Sequence, residues 1–370
     1  MFHVRSIRLC YLCGIILMAL FVIQLSFVLF NARLLSLTLI RGFSRGSTQG
    51  RMPTDEYLQI RWGSASNLTV CHTDDYLIVY ILSTVDNTQR RKAIRSTWGS
   101  KHGGVCFVFI LGQTHGTRTT QTWIDQEKNR YRDIVQIDHT DSYANRVYKE
   151  VGALQWTQRV HPTIPYLFHT DDDLIVDTLL VSSIARLLVS NSSEHNSYCS
   201  RHRPSLISQM MSSNREHFFR AVQVIHDQST SRDSGELSID RNVWPYATLP
   251  QYCSGYGWLM STSVRDRLVS ASLTYPRAKV VWIGDVFVSG FLAVAANVQC
   301  TRLEIDFKET TTAANCSCLL SKKPMLAICP TSLHSGRASD TDAQMYAEYQ
   351  RAWNVIQLRH QSTETLNNYC

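Results

Sequence analysis

The sequence predicts an α/β fold, a mostly parallel sheet flanked by helices, preceded by one transmembrane helix. Three observations predict it. From Asp75 onward, short continuous apolar runs alternate with helical stretches, the pattern of βαβ units. Three adjacent aspartates, Asp171-Asp172-Asp173, directly follow one of those runs, and ligands in such sheets bind outside the carboxyl ends of the strands. Residues 9–32 carry no charged side chain and are mostly apolar, long enough for the roughly 20-residue helix that crosses a bilayer core of about 30 Å.

In chain order, the apolar run comes first. Arg5 and Arg8 precede it, and bulky residues continue to Phe30. A cleaved signal peptide has a shorter apolar core, about 7–15 residues, and a small-residue cleavage site, so an uncleaved anchor is the expectation. Three N-glycosylation sequons follow it, at Asn67, Asn191 and Asn315, and such triplets are acceptors in secreted or luminal chains. Of 11 cysteines, Cys10 and Cys13 lie in the run. The remainder suit disulfides in an oxidising lumen. Their number is odd, so at least one is free or pairs between chains in a homo- or hetero-oligomer. A zinc site is disfavoured, because Cys316, Cys318 and Cys329 lack two well-spaced ligand pairs. The expected organisation is a cytoplasmic tail (1–8), a signal-anchor (9–32), a luminal stem (33–70) and a luminal domain (71–370).

Charge narrows the function classes. The chain of 370 residues has a formal net charge of +7. Residues 1–51 hold six Arg and no acidic residue, so the rest carries 31 basic and 30 acidic groups. The basicity is N-terminal, and no nucleic-acid partner is expected. The 44% apolar content supports a packed core.

Within the luminal domain, residues 76–82 read as a buried strand closed by a polar break. Residues 88–98 begin an Arg-rich helix, 106–111 a second strand ending at Gly112, 121–130 a helix, 134–137 a third strand, and 143–159 a helix. Residues 166–168 form a strand running into Thr170 and the aspartates. Adjacent carboxylates repel unless a cation neutralises them. On an extended strand Asp171 and Asp173 share a face and Asp172 points away. Hard oxygen ligands suit Mg²⁺ or Mn²⁺ bridging to substrate phosphates. The alternative is a solvated acidic turn or a helix N-terminus. Asp285 lies inside the apolar stretch 280–292, where a carboxylate is costly unless paired or catalytic. It suits proton abstraction or a helix N-cap. Tyr252-Cys253-Ser254-Gly255-Tyr256-Gly257-Trp258 reads either as a tight loop whose rings stack on sugars or as a hairpin turn on the core.

Taken together these segments resemble family 31 glycosyltransferases, the β-1,3-galactosyltransferase and β-1,3-N-acetylglucosaminyltransferase group, over about residues 75–355. Arg91-Lys92-Ala93-Ile94-Arg95-Ser96-Thr97-Trp98 resembles the family's Arg-x-x-Ile-Arg-x-Thr-Trp. Phe107 to Gly112 resembles its second strand. Tyr131 to Gln136, then Asp141-Ser142-Tyr143-Ala144-Asn145 and Lys149, resemble the segment before the aspartates. Thr170-Asp171-Asp172-Asp173 resembles the DxD motif. Tyr252-Cys253-Ser254-Gly255-Tyr256-Gly257 resembles the Tyr-Cys-Ser-Gly-x-Gly loop, and Gly284-Asp285-Val286 through Gly290 resembles the Glu-Asp-Val segment.

The resemblance implies a GT-A-type, Rossmann-like fold over 71–370 as a catalytic domain. It implies transfer of a hexose, galactose first among the candidates, from a UDP-sugar to a glycan acceptor in β-1,3 linkage with inversion, in protein or lipid glycosylation. It implies Mn²⁺ (or Mg²⁺) and a single-pass type II protein of the Golgi membrane. Carried over by residue, Asp171 and Asp173 are implied as metal and donor ligands, with Asp172 beside them in the donor site. Asp285 is implied as the general base, and His334 as a late metal ligand or else a surface histidine. Arg91 and Arg95 are implied at the diphosphate, or else in salt bridges on the helix. Gly255, Tyr256, Gly257 and Trp258 are implied at the acceptor. Four positions depart from the family: Gly284, His169, Asp177 and Leu237 stand where acidic, Lys, Asn and Trp residues are common. Gly284 would favour the alternative reading, a catalytically inactive glycan-binding or scaffolding relative.

Overall fold

A computed structural model describes residues 57–63, 71–114, 118–190, 197–232, 238–307, 316–331 and 342–361. The chain divides into two units, Met1–Pro53 and Thr54–Cys370, and every described residue belongs to the second. The anchor expected at 9–32, the sequons at Asn67, Asn191 and Asn315, His334 and Leu237 therefore lie outside the described residues. Among those described, no helix is long and apolar enough to cross a membrane.

The centre is a mixed, mostly parallel seven-stranded sheet. Its strands in chain order are β1 (Leu77–Leu82), β2 (Val105–Gln113), β3 (Ile134–Thr140), β4 (Tyr166–Asp171), β6 (Phe219–Ala221), β9 (Trp258–Ser261) and β10 (Thr301–Arg302), arranged β10-β6-β9-β4-β1-β2-β3. β1 runs parallel to β2 and β4, and β2 to β3, while β9 is antiparallel to β4 and β6. Two small sheets accompany it: β5 (Leu174–Val176) with β11 (Asp306–Phe307) and β12 (Leu326–Pro330), and β7 (Val224–Ile225) with β8 (Tyr252–Cys253).

The apolar runs are continuous because both faces of the sheet are covered. Alternation divides β1 between two cores: Leu77, Val79 and Ile81 join one, and Ile78, Tyr80 and Leu82 the other. The first core takes Ala93 and Ile94 of α1 (Thr88–Arg95), Ile124 of α2 (Arg118–Tyr131) and Leu180 and Ile184 of α4 (Thr178–Ser190). The second takes Val147, Val151 and Leu154 of α3 (Arg146–Val160), Val264 and Leu268 of α5 (Thr262–Ser272), and Phe287.

Four differences from the sequence reading matter. The helix expected over 143–159 opens as a 3₁₀ turn, Tyr143–Asn145, before α3. The strand expected to end at 168 continues to Asp171, and its register sets Asp171 beside Leu82 of β1. Trp258 opens a central strand and is not part of a loop. A C-terminal helix, α7 (Asp342–Gln361), closes the first core with Tyr349, Ala352, Trp353 and Ile356. That helix was not anticipated, although these four positions have helical spacing. Disulfides join Cys71–Cys106, Cys253–Cys300 and Cys316–Cys329. The last consumes two of the cysteines weighed for zinc. Cys199 is buried, so it offers no surface to a second chain, and Cys370 lies outside the described residues.

Candidate active site

The carboxyl ends of β1 and β4 open onto a cleft of about 270 Å³. Its walls include Ser83, Thr84, Asn87 and Arg90 from the turn into α1, Tyr143, Arg146 and Lys149 from the start of α3, and all three aspartates. Asp172 lies in the turn just past β4, not on the strand, and takes different partners from Asp171. Its Oδ2 accepts from Ser83 Oγ at 2.6 Å and Asn87 Nδ2 at 2.9 Å, and its Oδ1 from Arg90 Nη1 at 3.2 Å. Asp171 instead pairs with the Arg146 guanidinium. Asp141 pins this corner together: it accepts from the N–H groups of Val85 and Gly112 and from Lys149 Nζ, at 3.0, 3.2 and 2.8 Å.

A second cleft of about 200 Å³ adjoins the first. Ser254, Gly255, Tyr256, Trp282, Ile283, Gly284 and Asp285 line it, together with Tyr143, Arg146 and Asp171, which line both. Asp285 lies in the turn α6 (Gly284–Val286), which continues as a π-helical stretch, Phe287–Leu292. Ile283 occupies the N-cap position, so Asp285 is not the cap. Its Oδ2 accepts from Gly255 N at 3.1 Å and its Oδ1 from Val286 N at 2.9 Å. Burial raises the Asp285 carboxyl above its ordinary value against the opposing pull of Arg146 and these two donors. The Tyr143 ring, exposed to solvent, meets Trp282 edge-on at 5.8 Å. Aromatic faces at a polar cleft are suited to the apolar faces of sugars.

The aspartates fit a hard divalent cation. Asp171 Oδ1 is buried and accepts no hydrogen bond. Burial, opposed by Arg146 and reinforced by Asp173, pushes the Asp171 carboxyl up to about 6. Among the described residues no three His, Cys, Asp or Glu side chains form a metal-binding group. A cation here would therefore draw further ligands from elsewhere, as Mg²⁺ does from substrate phosphates.

Asp171, Asp173, Asp285, Gly255 and Tyr256 thus converge on two adjoining clefts. Other expected residues do not. Arg91 is buried and spends its donors on Glu127, Ser83 Oγ and the carbonyl of Thr84. Arg95 pairs with Glu127 and Asp133. Both belong to a salt-bridge network joining α1 to Glu127 of α2 and to Asp133 just beyond it, the salt-bridge alternative for these positions. The cation of α1 that reaches the aspartates is its neighbour Arg90. Trp258 is buried, stacked on His169 at 4.0 Å, and donates to Tyr80 Oη. Gly257 packs against Phe168 and Ile328. Neither lines the second cleft.

Arg146 and Glu150 were missed. Arg146 left a signal, because a basic residue opening a helix opposes the helix dipole and points to a local acidic partner.

The galactosyltransferase family model matches residues 89–304, more than half of the chain and inclusive of Arg90, Arg146, the aspartates and Asp285. Among curated relatives, beta-1,3-galactosyltransferase 5 of Pan paniscus is 24% identical over 58% of this chain and 64% of its own length. UDP-GlcNAc:betaGal beta-1,3-N-acetylglucosaminyltransferase 7 of Rattus norvegicus is 28% identical over 60% and 52%. UDP-GalNAc:beta-1,3-N-acetylgalactosaminyltransferase 1 of Mus spicilegus is 26% identical over 59% of each. The match spans less than two thirds of each relative. With the aspartate cleft and Asp285 both inside the matched span, the chain belongs to the galactosyltransferase family, family 31 of the glycosyltransferases.

Proposed function

We propose that this protein transfers a hexose from a UDP-sugar to the 3-hydroxyl of a glycan with inversion, forming a β-1,3 linkage. The observation that carries the reading is the junction of the two clefts, where Arg146 and Asp171 line both and Asp285 stands on the second. A donor in the first cleft would present its anomeric carbon to an acceptor in the second.

The chemistry follows from that arrangement. The Asp285 carboxylate takes the proton of the acceptor hydroxyl, the acceptor oxygen forms a bond to the anomeric carbon, and the bond from that carbon to UDP breaks. Burial suits Asp285 to this, since a raised carboxyl is a stronger base. Its two backbone donors fix its orientation. One displacement inverts the centre, so no enzymic nucleophile is required. Asp171 and Asp173, with His334 completing the set, would hold Mn²⁺ or Mg²⁺. When bound, it would offset the charge developing on the departing diphosphate. Arg90 and Lys149 add fixed cations to the same cleft.

The relatives' printed donors differ, and galactose is the first expectation here. The uncharged run at 9–32 and the three disulfides support a single-pass type II protein of the Golgi membrane.

The test is UDP release by the full chain with UDP-galactose, UDP-N-acetylglucosamine and UDP-N-acetylgalactosamine, with Mn²⁺ or EDTA, across a panel of galactosides and glucosaminides. Release that needs the metal and rises with one acceptor supports the reading. Intact UDP binding with no transfer across the panel would favour the glycan-binding relative. Absence of UDP binding would overturn the donor-site assignment.

A further inference from the structure

Gly284 and Glu150 contend for one space. A Cβ added at Gly284 would fall inside the Glu150 carboxylate, 2.7 Å from its Cδ and 3.1 Å from Oε2. Side chains do not approach so closely. The absence of a side chain at 284 is what admits the carboxylate from α3.

Glu150 is fully buried, and neither of its oxygens accepts a hydrogen bond. A buried carboxylate in that state is costly unless a cation faces it. The facing cation is Arg146, one turn earlier on α3, whose Nε lies 3.6 Å from Oε1. The same guanidinium pairs with Asp171. Its Nη2 and Asp285 Oδ2 each lie 3.6 Å from the point where a Cβ on Gly255 would stand. The guanidinium therefore pairs with Glu150 and Asp171 and lies close enough to Asp285 to feel its charge.

We propose that Glu150 is a positioning residue: through the gap at Gly284 it holds the Arg146 guanidinium at the junction of the two clefts, between Asp171 and Asp285. Without Glu150, Arg146 has only those two carboxylates to neutralise, and moving onto Asp285 would weaken the base. This rests on the transferase reading above. It also means that Gly284 does not mark a lost acidic group, because α3 supplies one at the same place.

The test moves the carboxylate. Glu150→Ala is expected to lower kcat on the order of 10- to 100-fold, the cost of a misplaced group near the chemistry, with donor KM within about twofold. Glu150→Ala with Gly284→Glu returns a carboxylate to the gap from the other backbone and is expected to recover most of kcat. Glu150→Ala with Gly284→Met fills the gap with apolar volume and is expected to restore the melting temperature but not kcat. Equal rescue by Met and Glu would reduce Glu150 to packing and overturn the proposal, as would an unchanged kcat in Glu150→Ala. If Glu150→Ala does not fold, Glu150→Gln carries the kcat comparison. Wild-type protein that transfers from none of the three donors would instead sink the transferase reading. The pairing is then judged by melting temperature alone: Gly284→Ala should destabilise, and Glu150→Ala should relieve it. Additive effects overturn the pairing whatever the turnover.

Discussion

The backbone N–H of Gly255 donates to Oδ2 of Asp285 at 3.1 Å, joining the Tyr-Cys-Ser-Gly loop to the helix that carries the proposed base. A carboxylate so held has its orientation set by backbone. Asp285→Asn keeps the shape and removes the basicity, so it is expected to lower kcat by about 10²- to 10⁴-fold while UDP affinity stays within about twofold. Calorimetric titration of UDP alongside turnover separates the two effects.

The same group sets a pH dependence. Burial raises the Asp285 carboxyl in the folded protein, and the base works only when ionised. The acid limb of kcat should therefore have its midpoint above the ordinary aspartate value of about 3.9. For stability the sign is opposite. A carboxyl raised on folding costs stability as pH climbs through its folded value. Asp285→Asn should accordingly melt no lower than wild type at pH 7. A clear fall in melting temperature would make Asp285 a structural residue.

The loop is anchored from its other side by Cys253–Cys300, and Cys253 N donates to Ser289 Oγ at 2.8 Å on the helix of Asp285. Replacing both cysteines by Ser frees the loop two residues from Gly255. The expected stability loss is about 3–4 kcal/mol for a cross-link closing a loop of this size. Turnover should fall more than UDP binding, since the aspartate cleft lies on other strands. Denaturant titration and kinetics on the double variant measure both.

Trp258 separates packing from recognition. Its indole is buried between His169 and the edge of Phe219, so Trp258→Ala is expected to cost about 3–5 kcal/mol of stability. The milder Trp258→Phe should leave acceptor KM unchanged. Tyr256, which lines the second cleft, should behave the other way: Tyr256→Ala raises acceptor KM with a smaller loss of stability. A Trp258→Phe variant with altered acceptor KM and wild-type melting would return Trp258 to the acceptor site.

Much of this was legible in the sequence for a physical reason. β1 and most of β2 are buried on both faces, so their apolar runs are nearly uninterrupted, and the carboxylates that follow the apolar start of β4 stand out against such runs. What resisted reading was long-range. An Arg-rich helix does not disclose which guanidinium turns inward, and Arg91 finds Glu127 thirty-six residues away while Arg90 finds Asp172. Trp258 shares a motif with Gly255 yet lies beyond the point where the loop enters the sheet. Arg146 and Glu150 stand one turn apart on α3, which helical spacing allows, but the approach of Gly284 to the Glu150 carboxylate comes from a distant part of the chain.

Asp177, where the family commonly has Asn, shows the same long-range logic away from the clefts. It is buried, accepts from Leu180 N at 2.9 Å at the start of α4, and pairs with Arg359 and His360 of α7. Burial alone would raise its carboxyl, but these partners outweigh burial and hold it well below the ordinary range. A carboxyl depressed on folding contributes stability above its unfolded value, about 3.9, and loses it as pH falls toward the folded value. Asp177→Ala leaves Arg359 buried without its charge partner and is expected to cost about 3–5 kcal/mol at pH 7. The gap between variant and wild type should close as pH drops below about 4. Replacing both partners, Asp177→Leu with Arg359→Met, should cost far less than either single change, because no charge is stranded. A double variant as unstable as the sum of the two singles would mean that the ion pair is not what fastens α7 to the core.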